Sequence, residues 1–212
     1  MTHAPLLIVR HLGRQEYSQV WQAMLDFTAR RSDESRSEIW IVEHPPVFTL
    51  GQAGKAEHLL EPGEIPVVQS DRGGQVTYHG PGQLVCYLLL DLRELNMGIR
   101  SLVHNIEEAV IALLHAYGIP ASRRKGAPGV YVNDAKIAAI GLRVKRQCTY
   151  HGLSLNVDMD LRPFSAINPC GYPGLAVTDM AAHGVDMDVK AAGDELAEKL
   201  AAILGYTHAY DR

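Results

Sequence analysis

The order of elements legible in the sequence predicts an α+β fold, a single domain over residues 1–212 built on a mixed β-sheet. Three observations carry this. Single strands, a hairpin and three helical stretches are interleaved along the chain. Neither an internal repeat nor a linker-like stretch divides it. And 212 residues, 47% hydrophobic and 21% charged, suffice to bury a sizeable core.

Leu6 to Arg10 is a short apolar run that reads as an opening strand. From Arg14 to Arg31, the residues Tyr17, Val20, Trp21, Met24, Leu25 and Thr28 follow the i, i+3, i+4, i+7 rhythm of an amphipathic helix. A polar stretch, RSDESRSE, leads to EIWIVE at 38–43, which alternates, is rich in β-formers and stops at Pro45-Pro46. Val47 to Leu50 and Ile65 to Ser70 read as further short strands. The segment SDRGGQVTYHGPGQ at 70–83 carries four glycines around a β-type stretch, Gln75 to Tyr78. Leu84 to Leu92 is a strongly hydrophobic strand that belongs at the centre of its sheet.

Ser101 is placed to cap a helix whose apolar stripe is Val103, Ile106, Val110, Leu113, Leu114 and Tyr117, ended by Gly118 and Pro120. GVYVNDAKIAAIGLRV at 129–144 reads as a hairpin turning at Asn133-Asp134. Thr149 to Val157 alternates as a half-buried strand does, Pro163 to Gly174 is irregular, and a last helix covers Asp188 to Leu204.

Composition excludes several classes of function. Lys+Arg 20 against Asp+Glu 24 gives a net charge of −4, the wrong sign for a general nucleic-acid binder. The longest apolar run, LVCYLLL at 84–90, is strand-sized, so no membrane span is expected, and the N-terminus does not read as a signal peptide. Three widely spaced cysteines argue against a disulfide framework and a Cys-rich zinc site, which makes a reducing cytoplasm the expected compartment.

Familiar cofactor motifs are missing as well. GQAGK at 51–55 is too short for a phosphate loop, and RGGQVTYHGPGQ lacks the dinucleotide spacing. GLSLN carries Asn156 where a nucleophile elbow needs glycine, and there is no HExxH helix. The expectation is therefore no ATP, no NAD and no metal.

Candidate chemistry begins with the thiols. Cys86 lies in an apolar run and reads as a small core hydrophobe; Cys148 has basic neighbours but no sign of a shaped pocket. Cys170 differs. In NPCGYPG, Pro169 and Pro173 stiffen the chain while Gly171 allows close backbone approach, so the loop can supply exposure, a fixed direction and N–H donors. The alternative is an ordinary turn with an exposed thiol.

A nucleophilic thiol needs something to favour its thiolate, and Lys136 is the candidate cation. It follows a tight turn and precedes apolar Ile137 to Ile140, so it either points into a partly desolvated site with its own pKa depressed, or extends into water. His79 and His151 are either proton carriers or merely polar strand ends, and His79 is the stronger candidate because YHGPG constrains it more. Basic clusters at Arg123-Arg124-Lys125 and at Arg143, Lys145 and Arg146 suit an acidic partner or a phosphate group, or are simply solvated loops.

Four segments together resemble one family. RGGQVTYHGPGQLVCYLLLDL (72–92), VNDAKIAAIGLRV (132–144), HGLSLNV (151–157) and FSAINPCGYPG (164–174) are similar to the octanoyltransferases and occur in that family's order. The resemblance covers most of the chain; roughly residues 1–35 and 185–212 carry no diagnostic motif. It implies the fold group of lipoate and biotin protein ligases, a mixed sheet flanked by helices. It implies transfer of an octanoyl group from octanoyl-acyl carrier protein to lipoyl domains of 2-oxoacid dehydrogenases and the glycine cleavage H protein. Cys170 matches the family's acyl-thioester nucleophile, and Lys136 the lysine that lowers the thiol's pKa and assists proton transfer. Acyl-substrate contacts carry over to Arg72, Gly73, Gly74, Gln75, Val76, Thr77, Tyr78 and His79, to Ala139, Ile140 and Gly141, and to Gly152, Leu153 and Ser154.

The apolar wall for the acyl chain is then expected partly from Val76, Tyr78, Ile140 and Leu153, and oxyanion donors near Gly171 or within 72–79. A monomer is the default. The rivals are an ATP-dependent ligase of the same fold, a cysteine hydrolase of acyl thioesters, and a non-catalytic acyl-carrier-binding protein.

Overall fold

The elements of the computed structural model, which describes residues 4–211, follow the sequence closely in kind and order. Strand β1 (Leu6–Arg14) leads into helix α1 (Tyr17–Arg30), then β2 (Ser37–Glu43), β3 (Val47–Leu50), β4 (Val67–Gln69), β5 (Val76–His79) and β6 (Gln83–Leu89). Helix α2 (Ile99–Ala116) follows, then β7 (Ala121–Arg123), β8 (Val130–Val132), β9 (Ala135–Lys145), β10 (Cys148–Asn156), helix α3 (Val189–Leu204) and β11 (Thr207–Tyr210). Residues 1–3 and 212 of the expected domain lie outside the described residues.

Eight strands form one sheet in the order β11-β1-β2-β6-β10-β9-β8-β7. The pairs β11/β1 and β1/β2 are parallel and the others antiparallel, so the sheet is mixed, as expected. All seven residues of β6 are buried, and the strand lies inside the sheet where its hydrophobicity predicts. Its alternation separates two cores: Leu84, Cys86 and Leu88 join α2 and α3, while Val85, Tyr87 and Leu89 join α1. The sheet is thus covered on both faces. A smaller sheet, β4-β3-β5, packs Phe48, Val76 and Tyr78 against Phe164 and Ile167.

The departures are local. Helix α2 starts three residues earlier than expected, after Gly98 and without a side-chain cap; Leu102 takes the core position and Val103 does not. Tyr117, expected on the apolar stripe, is exposed where the helix has already ended. Strands β7 and β11 are too short to show periodicity and form because partners lie beside them. Among the described residues no helix is long and apolar enough to cross a membrane.

Candidate active site

Strand β9 and a short helical turn bring the two expected chemical residues together. Asn133 adopts a left-handed φ of 52° to close the β8–β9 hairpin, which places Lys136 as the second residue of β9, opposite Tyr131. The backbone of Lys136 is then sewn to the chain beyond the cysteine: its N–H donates to the Ala176 carbonyl, and the Thr178 N–H donates to its own carbonyl. Cys170 sits at φ 56° inside the turn Pro169–Gly171, a left-handed position uncommon for a side-chain-bearing residue. That turn is held by a segment the sequence left uncharacterised: the Asn168 N–H donates to the His58 carbonyl, and Leu60 and Glu61 N–H groups to Ala166.

The result is a direct contact, Lys136 Nζ donating to Cys170 Sγ at 3.0 Å. The ammonium also donates to the Pro128 carbonyl at 3.1 Å and lies 5.2 Å from the centre of the Tyr131 ring. Gly129 makes this possible: a Cβ there would sit 2.5 Å from the Ala138 carbonyl oxygen and 3.3 Å from Lys136 Nζ, at a φ of +127°. Glu107 of α2 accepts from the Gly129 N–H and so fixes the loop that carries Pro128.

The expectation of a depressed lysine is corrected. Burial pulls Lys136 downward, but the Cys170 thiolate charge and its hydrogen bond outweigh burial, and the pKa ends above the ordinary lysine value. The other thiols are structural. Cys86 is fully buried and pushed up to about 12 by burial, and Cys148 is buried and likewise raised.

A cleft of about 340 Å³ opens at the pair. Gly73, Gly74, Gln75, Val76, Thr77 and His79 form its roof together with Arg72; Ala139, Ile140, Gly141, Gly152, Leu153 and Ser154 form its floor. Arg72 is buried and its guanidinium holds the roof itself, donating to Thr49, Gly73 and Gln75 oxygens. Tyr78 is the exception among the expected contacts. Strand alternation turns it away from its neighbours Thr77 and His79 and into the Phe48–Phe164 cluster, so it does not line the cleft. Sequence reasoning missed Tyr17, Tyr87, Ile99, Val103, Pro128 and Tyr172, which line the cleft from other elements and carry no motif.

Both candidate histidines are held neutral. His79 Nδ1–H donates to Gln83 Oε1 at 2.7 Å, and burial, with His44 next, lowers its pKa to about 3. His151 donates from Nε2 to Asp71 Oδ1 at 2.8 Å, yet burial still lowers it to about 4. Of the two readings left open by the sequence, lowered pKa values favour the polar strand end over the proton carrier for both rings. Asp71 also accepts from Trp21 Nε1 and the Tyr150 hydroxyl, joining α1 and β10 to the start of the roof.

Of the expected oxyanion donors, the Gly171 N–H is spent on the Asn168 carbonyl. The Gly74 and Gln75 amides, in the roof of the cleft, donate to no acceptor among the described residues. A cation against a thiol at one end, free amides above and an apolar floor form an arrangement able to hold an acyl thioester through a covalent exchange.

Comparison with known proteins adds the lineage. The sequence model of the lipoyl protein ligase A/B catalytic domain matches residues 16–201. An octanoyltransferase of Shewanella amazonensis is 55% identical over 205 residues, 97% of this chain and 95% of its own. One from Cellvibrio japonicus is 64% identical over 180 residues, 85% of this chain and 84% of its own. A chain from the structure of a bipartite lipoate protein ligase and its E2 lipoyl domain from Thermoplasma acidophilum superposes with a TM-score of 0.77. It covers all of this chain and 87% of its own at 17% identity, a likeness of fold.

Proposed function

The chain belongs to the lipoyl protein ligase A/B catalytic-domain family, and from that premise we propose that it is an octanoyltransferase of protein lipoylation. It moves an octanoyl group from octanoyl-acyl carrier protein, through a thioester on Cys170, to a lysine of lipoyl domains of 2-oxoacid dehydrogenases and the glycine cleavage H protein. The observation that carries this reading is the 3.0 Å contact of Lys136 Nζ with Cys170 Sγ at the cleft.

Cys170 thiolate attacks the carrier thioester carbonyl, forming a C–S bond while the Gly74 and Gln75 amides stabilise the oxyanion. The tetrahedral adduct collapses, the phosphopantetheine sulfur leaves, and Lys136 gives it a proton. Lys136 is now neutral beside an uncharged thioester. The thiolate that held its pKa up is gone and burial, the largest influence on it, favours the neutral amine. After the carrier departs, the acceptor lysine attacks the Cys170 thioester and Lys136 takes the proton released as the amide forms. Thiolate and ammonium are restored together. Exchange of one thioester for another is near thermoneutral and amide formation is downhill, so the scheme uses neither ATP nor a metal. The enzyme works as a monomer in the cytoplasm, where the thiol stays reduced.

The test is intact-protein mass after mixing with octanoyl-carrier protein without ATP, for wild type and Cys170→Ala. An adduct on wild type alone, chased off by apo lipoyl domain, is expected. Acceptor modification only with ATP and free octanoate would make the protein a ligase and overturn the scheme.

A further inference from the structure

The floor of the cleft is unusually bare on the side of the sheet that faces α1. Ala139 pairs with Ser154 and Gly141 with Gly152 across β9 and β10, so two successive cross-strand pairs carry almost no side chain. Cys170 borders the first of these pairs, sharing a small recess with Ala139, Ser154 and Thr77. Moving away from the sulfur, the bare floor ends where Leu142 pairs with His151. That point is three residues beyond the Ala139–Ser154 pair, ~10 Å at the rise of a strand. An extended eight-carbon chain reaches ~9 Å at about 1.5 Å per C–C bond in a zigzag.

What closes the end is built for the purpose. In a regular strand Tyr150 and His151 would point to opposite faces; the left-handed φ of 59° at His151 lets both reach Asp71. The ring of His151 thereby lies against Tyr87 and Trp21, at 6.2 and 6.5 Å between centroids. Tyr17 completes the wall, stacked on His79 at 5.9 Å. All but one of the polar atoms of the Tyr17, Tyr87 and His151 rings are turned to protein partners: Tyr17 to Ser70, Tyr87 to His44, His151 Nε2 to Asp71, with His151 Nδ1 the exception. Ring carbon is left for an apolar chain end. His151 also carries two costs, its strained backbone and a buried Nδ1 without a partner among the described residues. Such costs persist where the surroundings fix a side chain for use.

We propose that His151, clamped by Asp71 and backed by Tyr87 and Tyr17, is the end wall that sets the length of acyl chain this enzyme accepts. The inference rests on the acyl-transfer reading above and assigns its specificity. The chain lies from Cys170 over Ala139–Ser154 and Gly141–Gly152, and its terminal methyl meets the His151 ring at eight carbons.

The experiment loads Cys170 from hexanoyl-, octanoyl-, decanoyl- and dodecanoyl-carrier protein and reads the thioester by intact mass over time. His151→Gly suits the left-handed backbone and removes the wall. It is expected to raise the decanoyl-to-octanoyl rate ratio roughly tenfold or more, the scale of methylene discrimination in a closed pocket. Ala139→Val raises the floor beside the sulfur and is expected to shift preference the other way, toward hexanoyl, independently of whether the glycine variant folds. Unchanged chain-length ratios in folded variants, with all chains slowed alike, would overturn the wall while leaving acyl transfer intact. Wild type that takes up no acyl group from any carrier would instead overturn the transfer reading, and this inference with it.

Discussion

At the scale of single residues, the proposed chemistry depends on one cation placed against one sulfur. Removing the ammonium 3.0 Å from Cys170 Sγ in Lys136→Met takes away the charge that favours the thiolate. Alkylation of Cys170 by iodoacetamide at pH 7 is expected to slow at least ~10-fold, the effect of losing one close opposite charge. Cys86 and Cys148 are buried and do not confound the measurement. An unchanged rate would remove Lys136 from the mechanism. Because the lysine's folded pKa is raised, its pairing stabilises the fold fully below the ordinary lysine range and is lost only as pH climbs through the raised value. The ammonium is therefore present throughout the neutral range. Gly129→Ala would push on both the Ala138 carbonyl and the lysine tip; it is expected to lower thermal stability and alkylation rate together. The sequence pointed to Cys170 by its proline-flanked loop and to Lys136 by the turn before it. It was silent on Glu107, His58 and Asp71, which fix the surroundings of that pair and of the cleft through backbone hydrogen bonds and contacts between distant elements. No local pattern marks a residue whose role is to hold another part of the chain.

At the scale of elements, helices α2 and α3 separate function from stability. Helix α3 is capped by Asp188, whose carboxylate accepts from the Ala191 N–H at 2.7 Å, and none of its residues lines the cleft. Asp188→Ala is expected to reduce unfolding free energy by about 1 kcal/mol in a urea titration while leaving octanoyl transfer unchanged. A loss of transfer without a loss of stability would contradict that division. Helix α2 does the opposite work at its N-terminus, where Ile99 and Val103 enter the cleft. Its early start also explains the register error from sequence: Ser101 resembles a cap, but tertiary contacts of Leu102 with the core extend the helix past it. Helices α1 and α3 were legible because one face of each is buried continuously, and β6 because its hydrophobic run is unbroken; β10, expected to be half-buried from its alternation, is buried over all nine residues because α1 covers the face that carries its polar side chains. Strands β7 and β11 were not, since three or four residues carry no period and their pairing is set by neighbours far away in sequence.

For the whole molecule, the α1 face of the sheet keeps three uncharged histidines in its interior. His44 is lowered to about 4, His79 to about 3 and His151 to about 4, burial being the first cause in each. An unfolded chain takes up protons on these rings near pH 6.5, whereas the folded one refuses them until far lower pH. The stability this gives is complete above 6.5 and is lost as pH falls toward 4, each ring that stays neutral contributing on the order of 1 kcal/mol per pH unit. A melting temperature that declines between pH 7 and 4.5, above the range of the carboxylates, is expected; a flat profile would show the rings to be solvated. The mixed sheet with three helices and the candidate nucleophile and cation were legible in the chain because periodicity and turn chemistry are local, while most of the cleft's glycine-rich lining came from the resemblance to a family. Which side chains meet was settled by packing. It set Lys136 at Cys170 and raised the lysine instead of depressing it. It turned Tyr78 into a core, and closed the cleft with His151, Tyr87 and Tyr17. Each of those outcomes depends on burial and on charges supplied by strands and helices distant in the chain, which no single segment contains.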